Sequence, residues 1–183
     1  QRTGNPYLAG LQVLLRQMIG AREALDYFDP VHFRDFVWRS MFGRTLHADD
    51  FGSMTSAEFR TTRAPWKAMH FCGTISRRFG YALYPRLDTT GIDLMIAETP
   101  YPGRVSNGTK LIVRYHDAIP VLMPHTISNK AVHQGRHFRA LQRNVADGAW
   151  FACVSDSTRN DLLTLFPAAE KRAVTIPNMI SMH

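Results

Sequence analysis

Between Ile92 and Pro177 the apolar positions fall into four short runs separated by longer, mixed stretches. The runs are "IDLMIAE" (Ile92–Glu98), "KLIVRYH" (Lys110–His116), "AWFACVS" (Ala149–Ser155) and "AVTIP" (Ala173–Pro177). Each has the length and punctuation of a buried strand. Between the second and third, "SNKAVHQGRHFRALQRNVADG" sets Ala131, Phe138, Leu141 and Val145 at roughly helical spacing, with Ser128 at the N-cap and Gly148 at the C-cap. Between the third and fourth lies "STRNDLLTLF" (Ser157–Phe166), closed by Pro167. Apolar strands alternating with helices predict an α/β domain whose parallel sheet is doubly wound and covered on both faces.

The first half of the chain has a weaker pattern. "YLAGLQVLLRQMIGAREAL" predicts an amphipathic helix after a Gly-Asn-Pro turn. "DPVHFRDFVWRSMFG" (Asp29–Gly43) and "SAEFRTTRAPWKAMHFCGTISRRFGYAL" read as helical or irregular, with Pro65 as a break in the second. No strand is evident ahead of the opening helix. Residues 27–90 therefore read as a helix-rich insertion in a single domain spanning 1–183.

Composition narrows the class. The 183 residues are 45% hydrophobic and 20% charged, enough for one domain with a core of its own. No apolar run reaches the ~18 residues that cross a bilayer, and "QRTGNPYLAG" lacks the order of a secretory signal. Cys72 and Cys153 stand far apart in no metal or redox spacing, so buried free thiols in a reducing compartment are expected.

The net charge is +7, carried mainly by arginine, since Lys67, Lys110, Lys130 and Lys171 are the four lysines. Guanidinium forks suit phosphates and other planar anions. The charge is spread evenly, however, and no basic block or RNA-binding motif appears, which argues against nucleic acid. A merely soluble, arginine-rich surface is the bland reading.

Ligands of open parallel sheets bind at the carboxyl ends of the strands. His116 and Asp117 stand at one such end, directly after "LIVRY"; Ser155, Asp156 and Ser157 stand at another, directly before a helix. A helix N-terminus there offers free N–H groups to an anion. Thr158 with Asp161 also fits a capping box, a purely structural role.

The sequence "HDAIPVLMP", then a helix, then "FACVSDSTRNDLLTLFP", then "AVTIPNMI" resembles the N-terminal, Rossmann-like domain of retaining GT-B glycosyltransferases, more narrowly the group-1 (family 4) class. The resemblance covers Ile92 to Ile180, and "RTGNPYLAGLQVLLRQM" is similar to the family's glycine-containing loop and first helix. It implies transfer of a hexose, with mannose one candidate, from a UDP- or GDP-sugar to a glycan or lipid-linked acceptor in polysaccharide synthesis, without a metal. It implies that His116 contacts the donor sugar, that Asp117 orients the loop or imidazole, that Gly4 and Asn5 line the phosphates, and that Ser155, Ser157 and Arg159 shape the cleft. It also implies a cytoplasmic setting, at the inner face of the membrane if the acceptor is a lipid.

The chain departs from that family in one large respect. A GT-B enzyme has a second domain bearing a pair of donor-binding glutamates, whereas the glutamates here are Glu23, Glu58, Glu98 and Glu170, none spaced as such a pair. The expectation is an acceptor-side domain, inactive by itself.

Two other patterns compete for attention. His133 and His137 share a helix face, as metal ligands do, but "QGR" between them lacks the metalloprotease glutamate, so a solvated face with Lys130, Arg136, Arg139 and Arg143 is expected. The aromatic and basic residues of 28–86 read as helix packing, with contact to a membrane interface as the functional alternative. The rival to the enzyme reading as a whole is a noncatalytic α/β module that holds a glycan, an anion or a partner protein.

Overall fold

The computed structural model describes residues 6–76, 82–128 and 130–178. They form two compact units, one of residues 24–63 and one of the rest.

The larger unit opens with helix α1 (Pro6–Met18). Its inner side carries Gly10, Val13 and Leu14, while Leu8, Leu11, Leu15 and Met18 lie exposed. Gly10 is required by close packing: a Cβ there would meet the Phe71 ring at 2.3 Å, and the Cys72 thiol donates to the Gly10 carbonyl at 3.1 Å.

The smaller unit pairs β1 (Asp26–Phe28) with a second strand antiparallel, Tyr27 opposite Arg60 and Phe28 opposite Phe59. Between them run short 3-10, α and π turns that include α2 (Arg34–Val37) and α3 (Phe51–Thr55), and then β2 (Phe59–Thr61). The Trp38 ring stands edge-on to Phe51 at 5.5 Å. The sequence pattern predicts no strand here, because three-residue strands carry no period.

The larger unit resumes with α4 (Trp66–Ile75). Pro65 begins this helix rather than breaking it, since its ψ of 150° places it just ahead of the first turn. Four parallel strands follow: β3 (Leu94–Ala97), β4 (Lys110–Tyr115), β5 (Trp150–Cys153) and β6 (Ala173–Thr175), side by side in that order. A short helix α5 (Ile119–Leu122) and the long α6 (Lys130–Ala146) connect β4 to β5, and α7 (Asp156–Leu165) connects β5 to β6. The chain is thus α/β with a four-stranded parallel sheet, and each strand falls inside its expected run. Helix α6 begins at Lys130, so its cap position, 129, lies outside the described residues.

Alternation sorts the strand residues into two sets. Leu111, Val113, Tyr115, Phe151 and Cys153 are buried, and the Tyr115 ring lies 6.0 Å from that of His137 on α6, so this face is under the helices. On the other face Leu94, Ile96, Trp150 and Val174 are 48%, 59%, 43% and 46% exposed. The cover expected on both faces is therefore found on one among the described residues. The strand order supplies the reason: successive right-handed crossovers stepping in one direction leave their helices on the same side.

The helix layer is fixed by two devices. Asn144, buried on α6, donates to the Tyr101 carbonyl at 2.9 Å and accepts from the Tyr101 N–H at 2.8 Å, so one amide completes the backbone of the loop between β3 and β4. Gly148 ends α6 at φ +83°, with its N–H on the Val145 carbonyl and the Ala149 N–H on Asn144. Both cysteines are free and buried, as expected.

Candidate functional site

The carboxyl ends of β3, β4 and β5 bring together Glu98, His116 and Ser155. His116 is the first residue past β4, half exposed, with its Nε2 4.0 Å from a carboxylate oxygen of Glu98, the first residue past β3. Glu98 is itself largely exposed, so water screens this contact. Asp117 turns back on its own loop and accepts from the Ile119 N–H, the first of α5, at 2.9 Å. Pro120 lies buried in the first turn of that helix, and Pro124 opens the 3-10 turn after it. Both prolines thus stiffen the chain that leaves the strand.

Ser155 is the N-cap of α7. Its Oγ accepts from the Thr158 N–H at 3.1 Å and lies 3.0 Å from the Thr158 hydroxyl. The cap is therefore Ser155, one turn earlier than the Thr158–Asp161 box expected from sequence, because α7 starts at Asp156. Thr158 is thereby free to bond elsewhere, and its Oγ1 donates to the His116 carbonyl at 3.2 Å. The helix N-terminus and the histidine are thus fixed to each other through two hydroxyls. Sequence reasoning misses this link, although the Ser-x-x-Thr spacing within "SDST" carries its signal.

The other expected residues are placed as follows. Ser157 is exposed on the first turn of α7. Arg159 commits its Nε to the Ala173 carbonyl at 2.9 Å, binding α7 to β6. Asp156 accepts from the Thr175 hydroxyl at 2.6 Å, and Arg114 reaches Asn178 at 2.5 Å. Gly4 and Asn5 lie outside the described residues.

A cavity of about 410 Å³ lies beside these strand ends, lined by Trp66, Lys67 and His70 of α4, Thr99 and Pro100 after β3, and His133, Arg136 and His137 of α6. The face of α6 expected in solvent is instead half buried at Arg136, His137 and Arg139, because α4 packs along it. His133 and His137 stack with centroids 6.4 Å apart, but among the described residues no group of three or more His, Cys, Asp or Glu could hold a metal ion.

Burial holds both inner imidazoles neutral. It pushes His70 down to about 4, helped by the guanidinium charges of Arg136 and Arg139 and by electrostatic coupling to the imidazoles of His133 and His137. It likewise pushes His137 down to about 4, against the pull of Asp117 and with the help of His133. Sequence alone does not single out His70; its signal is the placement one turn after Trp66, whose ring it meets edge-on at 5.1 Å. A second cavity, of about 270 Å³, lies at the opposite, amino ends of the strands around Arg86, Arg104 and Asp147, away from the position where parallel sheets bind ligands.

Among the described residues no helix is long and apolar enough to cross a membrane. No family model matches the sequence, and neither a curated protein nor a solved structure matches it.

Proposed function

We propose that the chain is the acceptor-side, Rossmann-like domain of a retaining glycosyltransferase. It serves transfer of a hexose from a nucleotide-diphosphate sugar, UDP- or GDP-linked, to a glycan or lipid-linked acceptor. The observation that carries the reading is the junction at the carboxyl end of β4. There His116 projects from the strand end while its carbonyl is held by Thr158, beside the N-terminus of α7.

In this reading His116 contacts the donor sugar, and Asp117, bound to the Ile119 N–H, fixes the loop that carries it. The first turn of α7 stands beside it, and the N–H groups that the Ser155 cap does not take are there to meet an anion. The departing diphosphate takes the proton of the acceptor hydroxyl on the face where the new bond forms, and no side-chain nucleophile is required. Rate enhancement then comes from holding donor and acceptor together and from stabilising negative charge on the phosphates. In this reading a donor-side domain holds the nucleotide itself. Work on a lipid-linked acceptor sets the enzyme at the cytoplasmic face of the membrane.

The test is turnover of a panel of UDP- and GDP-hexoses, with glycan and lipid-linked acceptors, by the protein expressed in its full native reading frame. One donor is consumed, and His116→Ala lowers its kcat/KM by about a hundredfold or more, the scale of losing one oriented transition-state contact. Turnover that His116→Ala leaves unchanged removes the assigned role.

A further inference from the structure

The cavity between α4 and α6 is built from basic and aromatic groups and is separate from the His116 junction: neither His116, Asp117 nor Ser155 lines it. Five of its eight lining residues, Lys67, His70, His133, Arg136 and His137, have basic side chains, and among the described residues no Asp or Glu lines it. A cavity that accumulates cationic and imidazole groups without a counter-charge is electrostatically incomplete.

Three of the lining residues also hold unsatisfied polar atoms. His70 Nδ1, Arg136 Nε and His137 Nε2 are buried with no hydrogen-bond partner among the described residues. Buried polar groups left unpaired cost free energy, and these belong to residues of two different helices that line one cavity. An incidental packing defect on a single helix would not produce that convergence. At one side Trp66 lies edge-on to His70 and 6.2 Å from the Tyr101 ring, giving the cavity an apolar wall as well as a charged one.

We infer that this cavity binds a phosphate ester, its phosphoryl oxygens on Arg136, Lys67 and the imidazoles of His70 and His137, and its organic part against Trp66. Several features select phosphate over a simple carboxylate. A phosphomonoester carries up to two negative charges and three acceptor oxygens, which matches a cluster of converging donors better than one planar carboxylate does. The space, about 410 Å³, holds a phosphate together with a ring or chain segment.

Burial holds both inner imidazoles neutral, with Lys67, His133, Arg136, His137 and Arg139 around His70, and with His133 and Asp117 acting on His137. A bound dianion reverses that balance, so binding is accompanied by proton uptake and tightens as the pH falls from 7 toward 6, as long as the ester stays dianionic.

The phosphate ester has two natural sources, a soluble sugar phosphate and the head group of a phosphorylated lipid, and the experiment separates them. The intact chain is titrated with inorganic phosphate, with a hexose monophosphate and with sodium chloride of equal ionic strength, while the imidazole C–H resonances of His70 and His137 are followed by NMR. Cosedimentation with phosphatidylcholine vesicles carrying phosphatidic acid is measured in parallel.

Phosphate, but not chloride, is expected to shift both resonances and raise both apparent pKa values. Arg136→Gln and Lys67→Gln are each expected to weaken binding at least tenfold, and Arg136→Lys to restore part of it. Tighter binding of the hexose phosphate than of inorganic phosphate names the soluble source. Vesicle binding that Arg136→Gln abolishes names the lipid. Lys67 is exposed, so Lys67→Gln reports on binding even if the Arg136 variant folds poorly. Histidine titrations identical in phosphate and chloride, or phosphate affinity unchanged in Lys67→Gln and Arg136→Gln, overturn the inference. Either result is independent of whether the His116 junction transfers sugar.

Discussion

Thr158 donates its side-chain hydroxyl to the main-chain carbonyl of His116 at 3.2 Å, although the two residues belong to different connections of the sheet. Thr158 is nearly inaccessible, and its hydroxyl also lies against the Ser155 cap. Thr158→Val keeps the shape and deletes the donor, leaving the carbonyl unpartnered on that side. A loss of about 1–2 kcal/mol in urea unfolding is expected, with Thr158→Ser well above it. A valine variant as stable as the parent would show that the link contributes nothing to holding the histidine.

Asn144 makes a sharper case, because it satisfies both backbone groups of Tyr101 at once. Asn144→Leu has nearly the same volume but leaves a buried N–H and a buried carbonyl unpaired. The expected cost is about 2–4 kcal/mol, read as a lower urea midpoint with an unchanged slope. Asn144→Asp is also unfavourable, since a carboxylate cannot donate to the Tyr101 carbonyl.

Gly148 tests the end of α6. At φ +83° any side chain is strained, and a Cβ would also lie 3.3 Å from the Arg172 guanidinium. Gly148→Ala is expected to cost about 1 kcal/mol and lower the thermal midpoint by several degrees. Gly108→Ala, where a Cβ meets open space, is the control and leaves the midpoint in place.

The inner histidines give the fold a pH dependence of defined sign. His70 and His137 are each pushed from 6.5 to about 4 in the folded chain. The unfolded chain therefore binds protons first as the pH drops, and stability declines from about pH 6.5 until it levels near pH 4. Partial exposure reduces the effect to on the order of 2 kcal/mol for the pair. Urea midpoints at pH 7 and pH 5 measure it, and His70→Gln with His137→Gln should flatten the difference. Should the double variant keep the full acid sensitivity, other groups are responsible.

The strands are readable because burial and punctuation coincide in them. Leu111, Val113 and Tyr115 alternate along β4 and are all buried, and Gly148 and Pro167 mark the ends of the helices on either side of β5. The pairing of Asp26 with Thr61 is not readable, since it joins three-residue segments 35 positions apart with no local period to announce it. Nor is the cavity. The polarity of Arg136 and Arg139 assigns that side of α6 to water, and only tertiary packing brings His70 of α4, and Tyr84 from the segment after it, against that side. At the junction, the histidine and the serine cap are foreseeable from their positions after strands. The hydroxyl relay between them is not, because it depends on the turn at which α7 begins.

The order of the sheet has a bearing on how the molecule is made. The strands β3, β4, β5 and β6 lie side by side in the order in which they are synthesised. Among these four described strands none has to wait for a later one to be inserted between it and its neighbour, so each crossover closes a loop onto a partner already in place. Loop-closure entropy is then met in small steps rather than in one long search. Chains emerge and fold from the N-terminal side, so this sheet can widen sideways, strand by strand, while translation is still under way.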